Sequence, residues 1–249
     1  MTKSKHERQL KSQERSRVLV KLIQYLHYSL NHDREALEYL RKRKLNDQTI
    51  AKFQIGACPS LERLLANFSQ LELMQAGVVR VDESGQASCK FKHNRLILPT
   101  FDVWGQPIAL TGRVLCGEKE REILGVPKYD NTVFDKSRHL YGLNLAKKAV
   151  LEKGAVLIVE GNFDVIAAVQ AGVENVVASC GAYVSRHQIA LASRYAERIY
   201  LGLDADEAGM RGMERVFKRP APEGVVLRQK NVPAGFKDWD EWFGSKVVG

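Results

Sequence analysis

Close cysteine pairs are missing from this sequence. Its four cysteines, Cys58, Cys89, Cys116 and Cys180, lie far apart, and none stands in a C-x-x-C pair. A structural zinc site built from such pairs is therefore not expected, and scattered reduced thiols fit a cytoplasmic protein. Long apolar runs are also missing. No stretch reaches membrane-spanning length, and the opening MTKSKHERQLKSQERSR lacks the apolar core of a signal peptide. Internal repeats and low-complexity segments are absent. Acidic residues are in deficit, with 29 Asp and Glu against 38 Lys and Arg, a formal charge of +9. That balance favours an anionic partner, nucleic acid being the commonest, although basic charge alone is weak support.

What is present divides into two textures. Residues 1–17 are polar and mostly charged, expected as a flexible basic tail or a loose helix. From Val18 to about Gly77 the apolar spacing is helical, with Asp33 placed as an N-cap before REALEYLRKRKL. LNDQTIAKFQIG restarts a helix at Asn46 or Asp47 and stops it at Gly56. CKFKHNRLILPTFD and GQPIALTGRVL then read as two strands joined by a turn at Trp104-Gly105. A looser basic stretch, GVPKYDNTVFDKSRHLYGL, leads into the helical NLAKKAVLEKG.

From Ala155 the rhythm becomes regular. Apolar runs at 155–160, 175–180, 198–204 and 224–228 alternate with stretches of helical spacing. Such alternation predicts a mainly parallel sheet wrapped by helices, whose functional groups collect at the carboxyl ends of the strands. Carboxylates stand at those ends. Glu160 closes the first run, Asp204 the third with Asp206 two residues on, and Asp238 and Asp240 follow the fourth. Taken singly, each has a plain explanation: Glu160-Gly161 opens a loop, Asp164 favours a helix N-terminus, DAD caps a helix, and KDWDEW is a solvated turn. Five converging carboxylates would repel one another unless a divalent cation were shared. Oxygen ligands without histidine favour Mg²⁺ or Mn²⁺ over zinc.

EG-x-x-D, D-x-D-x-A-G and D-x-D, in this order, resemble the motif set of the Toprim domain. Upstream, REALEYLRKRKLNDQTIAKFQIG, NRLILPTFDVWGQPIALTGRVL, PKYDN and FDKSRHLYGL resemble the catalytic core of DnaG-type bacterial and phage primases. The resemblance runs from about residue 20 to 243. It implies an α/β protein with a mixed α/β primase-core lobe at 18–150 and a Rossmann-like, mainly parallel Toprim lobe at 151–249, with a basic groove between them. The implied activity is nucleotidyl transfer, the template-directed synthesis of RNA primers on single-stranded DNA from ribonucleoside triphosphates.

By the same resemblance Glu160, Asp204 and Asp206 are catalytic, and Glu160, Asp204, Asp206, Asp238 and Asp240 are the metal ligands. Glu160 serves either as ligand or as general base, and Asp164 supports the motif from behind. Arg95, Arg113, Lys128, Asn131 and Lys136 match basic or polar positions toward nucleotide and DNA, and Arg138, beside them in the sequence, is either a further such cation or a solvated surface charge. Tyr39, Tyr129 and Tyr141 would stack bases or pack in the core, and the basic run Arg41–Lys44 is a DNA-tracking or solvated helix face. Neither a zinc ribbon nor a helicase-binding domain is recognisable. The expected partners therefore include a replicative helicase or a separate zinc-ribbon subunit, with a phage or mobile-element origin. Two other functions stand beside this one: a Toprim nuclease, which would use the same acids for hydrolysis, and a non-catalytic DNA-binding subunit of a replication or mobile-element complex. Asn162, Phe163, Ala205 and Trp239 depart from the usual motif residues without removing a carboxylate.

Overall fold

The structure, a computed structural model, describes residues 2–93, 95–204 and 207–247. The chain forms two compact units. The first comprises Met1–Arg43, Ile50–Thr100 and Gln106–Phe134; the second comprises Lys44–Thr49, Phe101–Gly105 and Asp135–Gly249.

The first unit opens with α1 (Thr2–Leu30), which buries Leu19, Leu22, Ile23, Leu26 and Leu30, the three- and four-residue spacing of one helix face. The basic stretch expected as a flexible tail or a loose helix is helical from Thr2. Within it, Arg15 donates to the carbonyl of Val133 at 3.0 Å. After α2 (Arg34–Lys42) and α3 (Asp47–Lys52) come β1 (Gly56–Ala57), α4 (Leu61–Asn67) and α5 (Gln70–Ala76). Asp33 caps α2 by accepting from the Ala36 N–H at 3.1 Å. Asn46, rather than Asp47, caps α3 by accepting from Thr49 at 2.8 Å. α3 ends at Lys52, four residues before Gly56, and Gln54 takes a left-handed φ of 50°.

The hairpin β2 (Val79–Val81) and β3 (Ala87–Cys89) precedes β4 (Leu96–Phe101), β5 (Pro107–Arg113), α6 (Glu118–Leu124) and β6 (Tyr129–Asn131). The main sheet runs β1-β4-β5-β6. β4 and β5 are the neighbours anticipated around Trp104-Gly105. β6 lies in the stretch read as loose and pairs antiparallel with β5.

The second unit is an all-parallel sheet ordered β10-β9-β7-β8, built from β7 (Ala155–Val159), β8 (Val176–Ala178), β9 (Arg198–Gly202) and β10 (Val226–Gln229). Each falls inside or beside one of the four apolar runs. β7 is buried along its whole length, as a central parallel strand covered on both faces requires. The helices are α7 (Leu143–Lys153), α8 (Asn162–Gln170), α9 (Arg186–Ala192), α10 (Glu207–Phe217) and α11 (Trp239–Gly244). α7 packs on β7 and β8, so the break between units lies after Phe134, ahead of the expected residue 150. No described helix is long and apolar enough to cross a membrane.

Candidate active site

Strands β7 and β9 are neighbours with Val159 opposite Gly202, so the residues that follow them emerge at one edge of the sheet. Glu160 follows β7 directly, and Asp204 follows β9 by two residues. The Asp204 backbone N–H donates to Glu160 Oε1 at 2.9 Å, which locks the two acidic motifs together. Gly209, in the first turns of α10, is needed for this approach. A Cβ there would overlap the Asp204 carbonyl and sit 2.9 Å from Glu160 Oε1. The glycine of D-x-D-x-A-G thus has a steric reason. Asp206 lies outside the described residues.

Asp164 is buried on α8 and uses both carboxylate oxygens. One accepts from the Gly161 N–H at 2.8 Å, and the other from the Asp240 N–H at 3.1 Å. Burial pushes its carboxyl up to about 7. The Gly161 hydrogen bond pulls the other way, while the charges of Asp204, Asp240 and Asp238 add to the rise. Asp238 caps α11 by accepting from the Glu241 N–H at 2.9 Å. Between these acids Trp239 is buried and donates from Nε1 to the Gly202 carbonyl at 2.9 Å. A Cβ on Gly202 would meet that nitrogen at 2.7 Å, so the indole needs a glycine beneath it. The tryptophan that departs from the motif therefore anchors α11 to β9.

Lys136 and Arg138 lie on a 3-10 turn, Lys136–Arg138, in the same unit. Lys136 Nζ stands 3.9 Å from where a Gly181 side chain would begin, over the loop after β8. Its charge is felt by the half-buried Cys180, whose thiol is pushed up to about 12 by desolvation against the pull of Lys136. Gln188 holds the turn in place. Its side-chain Nε2 lies 3.1 Å from the Lys136 carbonyl, 2.8 Å from that of His139 and 3.0 Å from that of Ser179. Arg138 is exposed, 3.8 Å from Asp135.

The carboxylate edge suits a hard divalent cation. Glu160, Asp204, Asp238 and Asp240 offer oxygen alone, and the mutual repulsion felt at Asp164 is the charge excess that such a cation relieves. Among the described residues no three of His, Cys, Asp and Glu form a ready-made cage.

Arg95, Arg113, Lys128 and Asn131, with Tyr39 and Tyr129, lie in the first unit. Arg113 is buried, hydrogen-bonded to the Tyr129 hydroxyl, with its guanidinium 4.9 Å from the Tyr129 ring centre and 5.2 Å from that of Tyr39. Arg43 lies 5.0 Å from the Tyr39 ring and Lys128 5.9 Å from the Tyr129 ring, extending an alternation of cations and aromatics. Burial raises the Tyr129 phenol. Asn131 accepts from the Thr111 hydroxyl at 2.7 Å on the same strand pair. Arg95 stands apart from this stack, paired with Asp33 and, at 3.4 Å, with Glu35. Tyr141 is buried and its backbone bridges to Ala178.

Sequence reasoning missed Gln188 and the place of Arg43 in the stack. For Gln188 a signal existed, since S-x-x-Q over Ser185–Gln188 is a capping box. The box holds its oxygen on the Ser185 N–H at 2.9 Å and leaves the amide nitrogen to donate elsewhere.

Residues 25–147 match the family described as DNA primase catalytic core, N-terminal domain, and residues 157–243 match the Toprim-like family. A DNA primase from Synechococcus elongatus is 38% identical, aligned with 95% of this chain and 36% of its own length. The chain thus spans about a third of that curated relative. Among solved structures, a DnaG primase catalytic domain bound to ssDNA is 30% identical with a TM-score of 0.80, covering 92% of this chain and 76% of that one. The zinc-binding and RNA polymerase domains of the Aquifex aeolicus primase give 28% identity and a TM-score of 0.83, over 94% and 58% of the two chains.

Proposed function

The chain belongs to the family of DnaG-type primase catalytic cores, and on that footing we propose that it carries out template-directed synthesis of short RNA primers on single-stranded DNA. The observation that carries this reading is the Glu160–Asp204 pairing at the carboxyl edge of a parallel sheet, with Asp240 brought in through Asp164. Glu160, Asp204, Asp238 and Asp240, with Asp206 by its place in the motif, would hold Mg²⁺ or Mn²⁺. When bound, the metal orients the triphosphate and offsets the charge that develops in nucleotidyl transfer. Asp164 fixes the backbone of the third motif, and the Asp204 N–H holds the Glu160 carboxylate in one orientation. Lys136, placed by Gln188, supplies a cation toward the phosphates. Arg113, Lys128 and Asn131 face nucleotide or template, and Arg95 joins them by exchanging its carboxylate partners for phosphate. We place this work in the cytoplasm, where template and nucleotides meet.

The test incubates the protein with single-stranded DNA, labelled ribonucleotides and Mg²⁺ or Mn²⁺. Short labelled products, lost in Asp204→Asn, support the reading. Shortened DNA would instead identify a nuclease, and a mobility shift alone a binding subunit.

A further inference from the structure

Two of the four thiols that the sequence scatters meet in the first unit. Cys58, just after β1, has its Sγ 3.6 Å from the Sγ of Cys89, the last residue of β3. Both are free thiols, Cys58 buried and Cys89 half-buried. Both line a cavity of about 770 Å³ together with Arg63, Lys92 and Arg95. Asp33 and Glu62 line it too, and Arg95 is paired with Asp33, so a small anionic reagent meets Arg63 and Lys92 beside the thiol pair.

The pair is chemically unequal. The hydrogen bond between the two thiols is the main influence lowering the Cys89 thiol, while the same bond, with burial, pushes the Cys58 thiol well up. Cys89, half-buried where Cys58 is buried, is the sulfur a reagent reaches first, and Cys58 stands behind it, which is the division seen in dithiols that exchange disulfides.

We propose that Cys58 and Cys89 form a redox-active dithiol site that reacts with low-molecular-weight disulfides carrying carboxylates and closes to an intramolecular bond on the wall of this cavity. Cys89 Sγ, as thiolate, attacks one sulfur of the reagent disulfide. The reagent S–S bond breaks, one thiolate departs, and a mixed disulfide forms on Cys89. The departing thiolate takes the Cys58 proton. Cys58 Sγ then attacks the Cys89 sulfur, forming the Cys58–Cys89 bond and expelling the second reagent thiolate, which is protonated from water. Two protein thiols are oxidised and one reagent disulfide is reduced to two thiols. Closure needs the sulfurs to approach from 3.6 Å to about 2.05 Å. The bond would tie β3 to the segment of Arg95, whose carbonyl accepts from the Cys58 N–H at 2.7 Å.

The test treats the reduced full chain with oxidised glutathione, quenches by alkylation and maps tryptic peptides. Residues 53–63 and 81–90 form tryptic peptides that each carry one of these cysteines. The expected result is these two peptides joined, with the intact mass reduced by two hydrogens. Cys58→Ser should stop at a glutathione adduct on Cys89, and Cys89→Ser should slow modification of Cys58 at least tenfold. Wild-type mapping alone decides the main point, whether or not either variant folds. A stable wild-type adduct that never closes, an unmodified pair, or a bridge to Cys116 would overturn the proposal. Because the readout is mass, failure here leaves the primase reading untouched.

Discussion

The carboxylate of Asp164 accepts a hydrogen bond from the backbone of Asp240, 76 residues away, at 3.1 Å. Its second oxygen holds Gly161 at 2.8 Å, so one side chain fixes both the start of α8 and the start of α11. Asp164→Ala should leave two N–H groups without this acceptor, at a cost of about 1–3 kcal/mol. At this chain length each kcal/mol lowers Tm by roughly 2–4 °C. Thermal unfolding measures this, and an unchanged Tm would remove Asp164 from that role.

Gly209→Ala tests the packing between the first two motifs. The added methyl group would strike the Asp204 carbonyl and crowd Glu160 Oε1 at 2.9 Å. Primer synthesis should fall at least a hundredfold while far-ultraviolet circular dichroism keeps its native shape. Gly117→Ala, where a Cβ meets nothing within 4 Å, should behave as wild type in both measurements.

Gln188→Leu keeps the side-chain volume and removes the donors that hold the Lys136 turn. The KM for ribonucleotides should rise several-fold, with affinity for single-stranded DNA changed less than twofold. Equal loss of both would mean that Gln188 supports the unit as a whole rather than placing Lys136.

Arg113→Lys keeps the charge but not the planar group that touches two rings at 4.9 Å and 5.2 Å. An ammonium cannot cover both faces, and stability should drop by about 1–2 kcal/mol in urea unfolding. Arg138→Lys, at an exposed position, should shift stability by less than about 0.5 kcal/mol.

The parallel sheet was legible because buried parallel strands are continuous apolar runs, as β7 and β8 are. The run at 224–228, expected as a buried strand too, became β10, which lies at the sheet edge and is largely exposed. Glu160 and Asp204 were legible because chain order places them just beyond β7 and β9. β6 was not, because its three half-buried residues show no alternation and are ordered by β5. Nor could spacing show that Trp239 would seat on Gly202, or that Asp164 would hold Asp240. Both depend on where α11 docks. Thiols 31 residues apart give no pairing signal until the β2–β3 hairpin folds. Arg43 was read as part of a solvated or DNA-tracking face, but helical phase alone does not say which ring it meets.

The second unit is gathered from three separate stretches of chain. Lys44–Thr49 is tied to α8 by two hydrogen bonds of 2.8 Å between Gln170 and the backbone of Lys44 and Asn46. Val103, from Phe101–Gly105, packs on the core of the second unit. A single genetic crossover after Phe134 would therefore import a sheet while leaving two of its supporting strips from the other parent. Chimaeras of this kind inherit mismatched seams at Gln170 and Val103. Matched seams require residues 44–49, 101–105 and 135–249 to change together, because a single block from residue 44 would part α1 from β1, α5 and β5 of the first unit.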